Sequence, residues 1–271
     1  MRRVSQVEVH RIMEICRKLS LAILENGGET YRAEAVILYT CRAFGAQEVN
    51  TIALPTGILM SAKWNEEEFI GSIQRVKKRG INLSKIDQAN EISHQISAGK
   101  VTLDQAEQLV AEMMLDRPKH RVLTALAAAA SVACFAVLFH GSWVDVLLAG
   151  VCGFLIQFVA SLFKREDMFH FMISLIGGGI CSLVAVTFWG IWGIGNIETI
   201  ISSSIMTLLP GLAMVNAIRD TMRGDLVSGV ARAGEVLIIS LSIAAGVGAV
   251  LGVFAGMEVP CDAGIAFFLC V

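Results

Sequence analysis

Residues 208–235 read LLPGLAMVNAIRDTMRGDLVSGVARAGE. The stretch begins inside one apolar run and ends inside another. Between them it carries Asn216, Arg219, Asp220, Arg223, Asp225, Arg232 and Glu235. Charges wedged between two membrane-grade segments need water, headgroups or partners, because an unpaired charge in hydrocarbon is costly. The rest of the chain is placed relative to this segment.

Of the 271 residues, 55% are hydrophobic and 17% charged, against about 25% charged in soluble domains. The charges are uneven. Residues 1–121 hold 17 of the 22 Lys and Arg and 15 of the 24 Asp and Glu, a net of +2. Residues 122–271 hold 5 and 9, a net of −4. That asymmetry predicts a soluble front and a membrane back. Five apolar runs of 18 to 23 residues lie at 122–139, 143–163, 169–191, 198–215 and 236–255, and a helix needs about 17–25 residues to cross the hydrocarbon core.

The loops set an orientation. Arg117, Lys119 and Arg121 precede the first run, Lys164 and Arg165 follow the second, and Arg219, Arg223 and Arg232 lie between the fourth and fifth. The loops at 140–142 and 193–196 carry no Lys or Arg, nor does the chain after the fifth run. Positive loops face the cytoplasm, so the N-terminus is expected inside and the C-terminus outside. Arg2 and Arg3 are followed by Glu8, Arg11, Glu14, Arg17 and Lys18 instead of an apolar core, so no cleavable signal peptide is expected. The predicted fold class is a mainly α membrane protein: a cytoplasmic α+β domain at 1–118, five transmembrane helices at 119–256, and a short extracytoplasmic tail at 257–271.

In the front part, Val9, Ile12, Ile15, Cys16, Leu19 and Ile23 recur at helical spacing over 7–25, and Asn26-Gly27-Gly28 stops the helix. A second helix is expected at 29–44. A hairpin follows around Pro55-Thr56-Gly57, then a third strand at 69–76 and a helix at 83–98. Thr102 and Gln105 form a capping box that opens a helix to about Leu115, and Pro118 ends the domain.

Motif chemistry is sparse. The chain has no nucleophile elbow, P-loop or zinc-protease motif. Seven cysteines without a C-x-x-C pair and five dispersed histidines support neither a metal site nor a cofactor. Thr56 reads as a turn residue in preference to a nucleophile. The run Arg75, Lys77, Lys78, Arg79 lacks interleaved aromatics for stacking bases, so no nucleic-acid partner is expected. It reads as a solvated face or a contact with anionic headgroups.

The polar features of the membrane part have two readings each. Pro210, followed by Gly211, predicts a kink or break in the fourth run, either as plain structure or as a broken helix that builds a substrate site. Ser202, Ser203, Ser204 and Thr207 precede it and Asn216 follows. Arg219 and Asp220 lie past the break. Arg232 and Glu235 share a helix face at i, i+3, where they neutralise each other, gate a path or bind a carboxylate. Asp145 and Glu198 are isolated acids near span ends. Ala244, Gly248, Gly252 and Gly256 form a small-residue stripe for close helix approach, and Gly177-Gly178-Gly179 packs or loosens the third span.

Gly-Glu-Thr-Tyr-Arg at 28–32, Pro-Thr-Gly at 55–57, Arg-Gly-Ile-Asn-Leu at 79–83, Pro-Gly-Leu-Ala-x-x-Asn-Ala-Ile-Arg-Asp at 210–220, Gly-Asp at 224–225 and Arg-x-x-Glu at 232–235 occur in that order. In order and spacing they resemble the threonine/serine exporter family, over about residues 7–255. Some members of that family fuse two membrane halves. Others split them between a larger subunit, which this chain is similar to, and a small all-membrane partner, and the split members include a succinate exporter. The resemblance implies a non-enzymatic subunit of a secondary, proton-coupled exporter in the bacterial plasma (inner) membrane. Its cargo would be a small carboxylate, such as threonine, serine or succinate. Its partners would be the lipid bilayer and the small membrane subunit or further copies of itself. The candidate path or gate is Pro210, Gly211, Asn216, Arg219, Asp220, Arg232 and Glu235. Arg219 or Arg232 would hold the carboxylate, and Asp220 or Glu235 would be the proton or gating partner. The alternative is a membrane-anchored sensor or hydrolase with its activity in residues 1–118.

Overall fold

The structure, a computed structural model, describes residues 5–64, 69–77, 80–115, 120–162 and 170–256. The chain divides into two compact units. One comprises Met1–Arg117 with Gly211–Gly234, the other Pro118–Pro210 with Glu235–Val271.

The first unit opens with α1 (Gln6–Glu25), whose start is fixed by a capping box between Ser5 and Glu8. Its apolar stripe is fully buried at Ile12, Ile15, Leu19 and Ile23, as helical periodicity requires of a core-facing helix. After the turn at 26–28 comes α2 (Thr30–Ala43). Then β1 (Glu48–Leu54), β2 (Gly57–Lys63) and β3 (Phe69–Arg75) form an antiparallel sheet in that order. Ala53, Ile58, Met60 and Ala62 line its buried face, the period of two that a one-sided sheet demands. Asn82 caps α3 (Leu83–Ser97), and the expected Thr102–Gln105 capping box opens α4 (Leu103–Met114). Pro118 lies outside the described residues. Thr56 is an exposed turn residue whose carbonyl accepts from the Val76 amide at 3.0 Å. Cys16 and Cys41 are free thiols in the core with Sγ atoms 3.4 Å apart, and the hydrogen-bonding contact with Cys41, together with burial, pushes the Cys16 thiol up.

The second unit contains α5 (Arg121–Leu138), α6 (Trp143–Leu162), α7 (His170–Trp192), α8 (Ile197–Ile205) and the later part of α10 (Leu226–Gly256). Four helices among the described residues are long and apolar enough to cross a membrane: α5, α6, α7 and α10. The run at 198–215 is not one continuous helix, in keeping with the kink or break expected at Pro210. It breaks after Ile205, and α9 (Gly211–Met222) begins only beyond Pro210. Proline has no amide to donate and drives the residue before it out of the helical region. The fifth run differs, since its helix starts ten residues early, at Leu226. Lys164, Arg165 and the tail at 257–271 lie outside the described residues.

Asp145, expected as an isolated acid, is a capping residue. Its carboxylate accepts from the Ser142 amide at 2.8 Å, the Ser142 hydroxyl at 2.7 Å and the Asn196 amide at 2.6 Å, while Ser142 Oγ accepts from the Asp145 amide. That box starts α6 and pins the α7–α8 connection to it. Glu198 is exposed in the first turn of α8.

Close approach occurs at glycine, though not along the expected stripe. Nothing among the described residues lies within 4 Å of a Cβ built at Gly248, Gly252 or Gly256. A Cβ at Gly246 would overlap the Leu175 carbonyl oxygen, and one at Gly178 would lie 2.7 Å from the Ile243 carbonyl oxygen. Backbone cannot move aside as a side-chain tip can. Gly246→Ala is therefore expected to destabilise the detergent-solubilised protein by about 1–3 kcal/mol. Gly252→Ala is expected to leave its melting unchanged or slightly raised. Equal melting of the two variants would contradict the packing.

Candidate functional site

The charged centre of the first unit forms where two turns meet. The α1–α2 turn contains Gly27, at φ +86° in the left-handed region that glycine enters at no cost. A Cβ at Gly28 would lie 2.8 Å from the Ile23 carbonyl oxygen. With no side chains in the way, the carbonyls of this turn are open to donors. Gly27 O accepts from Asn216 Nδ2 at 2.9 Å and Gly28 O accepts from Arg232 Nη2 at 2.8 Å. Asn216 lies on α9 and Arg232 on α10, on either side of the second turn at 223–225.

Asp220 is fully buried and Arg232 nearly so, with Arg232 Nε 3.1 Å from Asp220 Oδ2. Neither of these two atoms has a hydrogen-bond partner, so they are held by charge proximity without an aligned bond. The Thr30 hydroxyl lies 3.1 Å from Asp220 Oδ1 and 3.4 Å from Asp225 Oδ2. One hydroxyl proton serves one carboxylate at a time. Thr30 is the first residue of α2, so both carboxylates sit at the positive end of that helix's dipole. Arg219 pairs with Glu29, which also holds Arg32 at 2.8 Å. The Arg223 guanidinium sits 3.6 Å from the centroid of the Tyr31 ring, a cation–π contact.

Burial raises the Asp220 carboxyl above its ordinary value of 3.8, with Arg232 and Thr30 opposing and Asp225 and Glu29 reinforcing. Burial also raises Glu34, whose carboxylate accepts from the Ala53 amide at 2.8 Å; that bond opposes the rise. The arrangement thus holds one buried carboxylate that keeps its proton more readily than usual, beside a buried guanidinium.

Of the sequence candidates, Asn216, Arg219, Asp220 and Arg232 come together here. Gly211 is exposed at the start of α9, Pro210 immediately precedes it, and Glu235 is half-buried on α10. Pro210 and Glu235 belong to the other unit. Arg232, which shares a helix face with Glu235 at i, i+3, is set by the structure against Asp220 and Gly28. Residue-by-residue reading missed Gly27, Gly28, Glu29, Thr30 and Tyr31 as site residues. Their signals are the glycine pair just before the helix that begins at Thr30 and the Gly-Glu-Thr-Tyr-Arg motif at 28–32.

The chain matches the family model described as "Putative threonine/serine exporter" over residues 14–254. The chain belongs to the threonine/serine exporter family. It is 24% identical over 246 residues to a protein of Mycobacterium tuberculosis named "Probable threonine/serine exporter", covering 90% of this chain and 46% of that one. It is 26% identical over 252 residues to the "Threonine/serine exporter" of Corynebacterium glutamicum, covering 89% and 51%. It is 23% identical over 247 residues to the "Probable succinate transporter subunit YjjP" of Klebsiella aerogenes, covering 89% and 93%. The chain spans about half the length of the two exporters and nearly all of the subunit. No solved structure matches. Family membership and four membrane-length apolar helices make this an integral membrane protein of a transporter family, not an enzyme.

Removing one partner of a buried ion pair leaves the other charge stranded, at a cost of about 3–5 kcal/mol. Asp220→Ala is expected to lower stability to denaturant by that order, and Asp220→Ala with Arg232→Met is expected to recover much of the loss. Additive losses in the double variant would show that the two do not act as a pair. The pH sign follows from the raised carboxyl. The folded state favours protonated Asp220, so this contribution is full below the unfolded value and is lost as pH rises through the folded one. Asp220→Asn is expected to flatten that part of the stability–pH profile.

Proposed function

We propose that this chain is a subunit of a secondary exporter of small carboxylate metabolites, threonine and serine or a dicarboxylate such as succinate, coupled to the proton gradient. The observation that carries the reading is the buried Asp220–Arg232 pair. It combines a guanidinium able to take a carboxylate with a carboxyl whose burial favours its protonated form. Arg219 or Arg232 holds the substrate carboxylate, and Asp220 or Glu235 is the proton or gating partner. Asn216 holds the segment to the Gly27 carbonyl, and the break at Pro210 and Gly211 gives the path a jointed wall. The relatives' names support the exporter class, and the name of the Klebsiella relative supports a partner, a small all-membrane chain or further copies.

In this reading the protein lies in the bacterial inner membrane with residues 1–118 cytoplasmic, a membrane part at 119–256 and an extracytoplasmic tail at 257–271. The interrupted stretch around α8 and Pro210 supplies the fifth crossing. Arginines on alternate loops support that orientation.

The test is flux in proteoliposomes under an imposed pH gradient, with threonine, serine and succinate, for the chain alone and with a small membrane chain of the same family. Flux of one of these substrates is expected, at least in the paired vesicles. Asp220→Asn is expected to uncouple flux from the gradient while substrate exchange persists. Arg232→Gln is expected to lower flux per folded protein roughly tenfold or more, the scale of one charge-assisted hydrogen bond. If alanine at Arg219, Asp220, Arg232 and Glu235 in turn left flux and protein level unchanged, the proposed gate would be wrong.

A further inference from the structure

The three-stranded sheet has an unusual outer face. Antiparallel sheets that pack one face on a core normally turn polar side chains outward. Here Ile52 of β1 stands opposite Leu59 of β2, which stands opposite Ile73 of β3. The three form one cross-strand row and are 57%, 40% and 80% exposed. The row on one side is small and neutral, Asn50, Ser61 and Gly71. The row on the other side is Leu54, Gly57 and Arg75. Arg75 is exposed on the same face as Ile73, Lys77 is exposed two residues on, and Lys78 and Arg79 follow in sequence. Glu48, the acid of β1, stands at the far end of that strand opposite Lys63.

We propose that this face docks on an anionic lipid surface, with Ile52, Leu59 and Ile73 entering the headgroup boundary and Arg75 and Lys77 against lipid phosphates. Apolar side chains beside cations are what an anionic interface selects. A second copy of the chain fits less well. A stable dimer buries about 800 Å² per partner, and one row of three aliphatic side chains supplies a fraction of that. A lipid surface needs no such area here. The chain's own membrane-length helices keep it at a bilayer, and that tether raises the effective concentration of a weak contact. The inference is independent of the export proposal, since none of these residues belongs to the charged centre.

The test uses the full chain in bilayers of brominated phosphatidylcholine with and without phosphatidylglycerol. Ile73→Trp, at a site too exposed to disturb the core, reports contact by lipid quenching of its added emission. Gln88→Trp, exposed on α3, serves as the reference. Quenching at position 73 well above position 88, greater with phosphatidylglycerol, is expected. Arg75→Gln with Lys77→Gln is expected to lower the docked-to-free ratio about thirtyfold at low salt, and raised salt is expected to weaken docking in the parent. Equal quenching at both positions would overturn the proposal. So would a high yield of disulfide-linked dimers from Ser61→Cys in the same bilayers, which would assign the face to a second copy.

Discussion

The buried contact between Asp220 and Arg232 constrains everything around it. Two charges out of water must face each other and have their remaining polar atoms met, or the fold loses several kcal/mol. They lie on the two helices that flank the turn at 223–225, so their pairing closes that helical hairpin. Arg232 then has an Nη left to donate, and the Gly28 carbonyl takes it. Asp220 has an oxygen left to accept, and the Thr30 hydroxyl meets it. Both come from the same five-residue stretch, so the hairpin can sit on the α1–α2 turn in one register only. Arg219 with Glu29 and Asn216 with Gly27 add to the same registration. Glycine at 27 and 28 is part of this constraint, since position 27 has φ +86° and a Cβ at 28 would collide with Ile23 of α1.

Two buried aspartates in this protein are met very differently by their surroundings. Asp145 receives three donors at 2.6 to 2.8 Å, two of them backbone amides. A carboxylate so fully met is a structural rivet. Asp220 has one shared hydroxyl on Oδ1 and an oxygen near Arg232 that lacks a hydrogen bond. Replacing such a pair with apolar residues is often neutral or stabilising. Stability alone therefore gives little reason to place it there, and a weakly satisfied carboxylate is better suited to changing its protonation or partner.

What could be read from sequence was what local chemistry decides. The capping box at Thr102, the glycine stop after α1, the hairpin around Pro55 and Thr56 and the break at Pro210 each depend on neighbours a few residues away. The long apolar runs were equally open to reading, because solvent transfer needs no tertiary knowledge. Tertiary choices were hidden. Spacing on one helix offers Glu235 beside Arg232, and it says nothing of Asp220, 12 positions earlier, which the fold brings against the same guanidinium. The early start of α10 was masked because Ser228 and Arg232 lower hydropathy without opposing helix formation. The stripe at Gly248, Gly252 and Gly256 has the right spacing for close packing, yet the backbone approaches at Gly246. A helix face marked by small residues says where contact is possible, and only the partner decides where it occurs.

The break before α9 shows how far local chemistry carries. Helix α8 has nine residues, so at 1.5 Å per residue it covers roughly half or less of a hydrocarbon core about 30 Å thick. Its last turn must find donors for its carbonyls, and Pro210 offers none. The amides of Leu208 and Leu209 both turn back to the Ile205 carbonyl. The hydroxyls of Ser203, Ser204 and Thr207 donate to carbonyls of Thr199, Ile200 and Ser204. These bonds bring amide and hydroxyl donors to the carbonyls at the end of α8, where the helix stops short of Pro210. Irregular backbone of this kind survives at membrane depth only against protein or water. Placed at membrane depth, as the proposed fifth crossing requires, this stretch needs protein or water beside it.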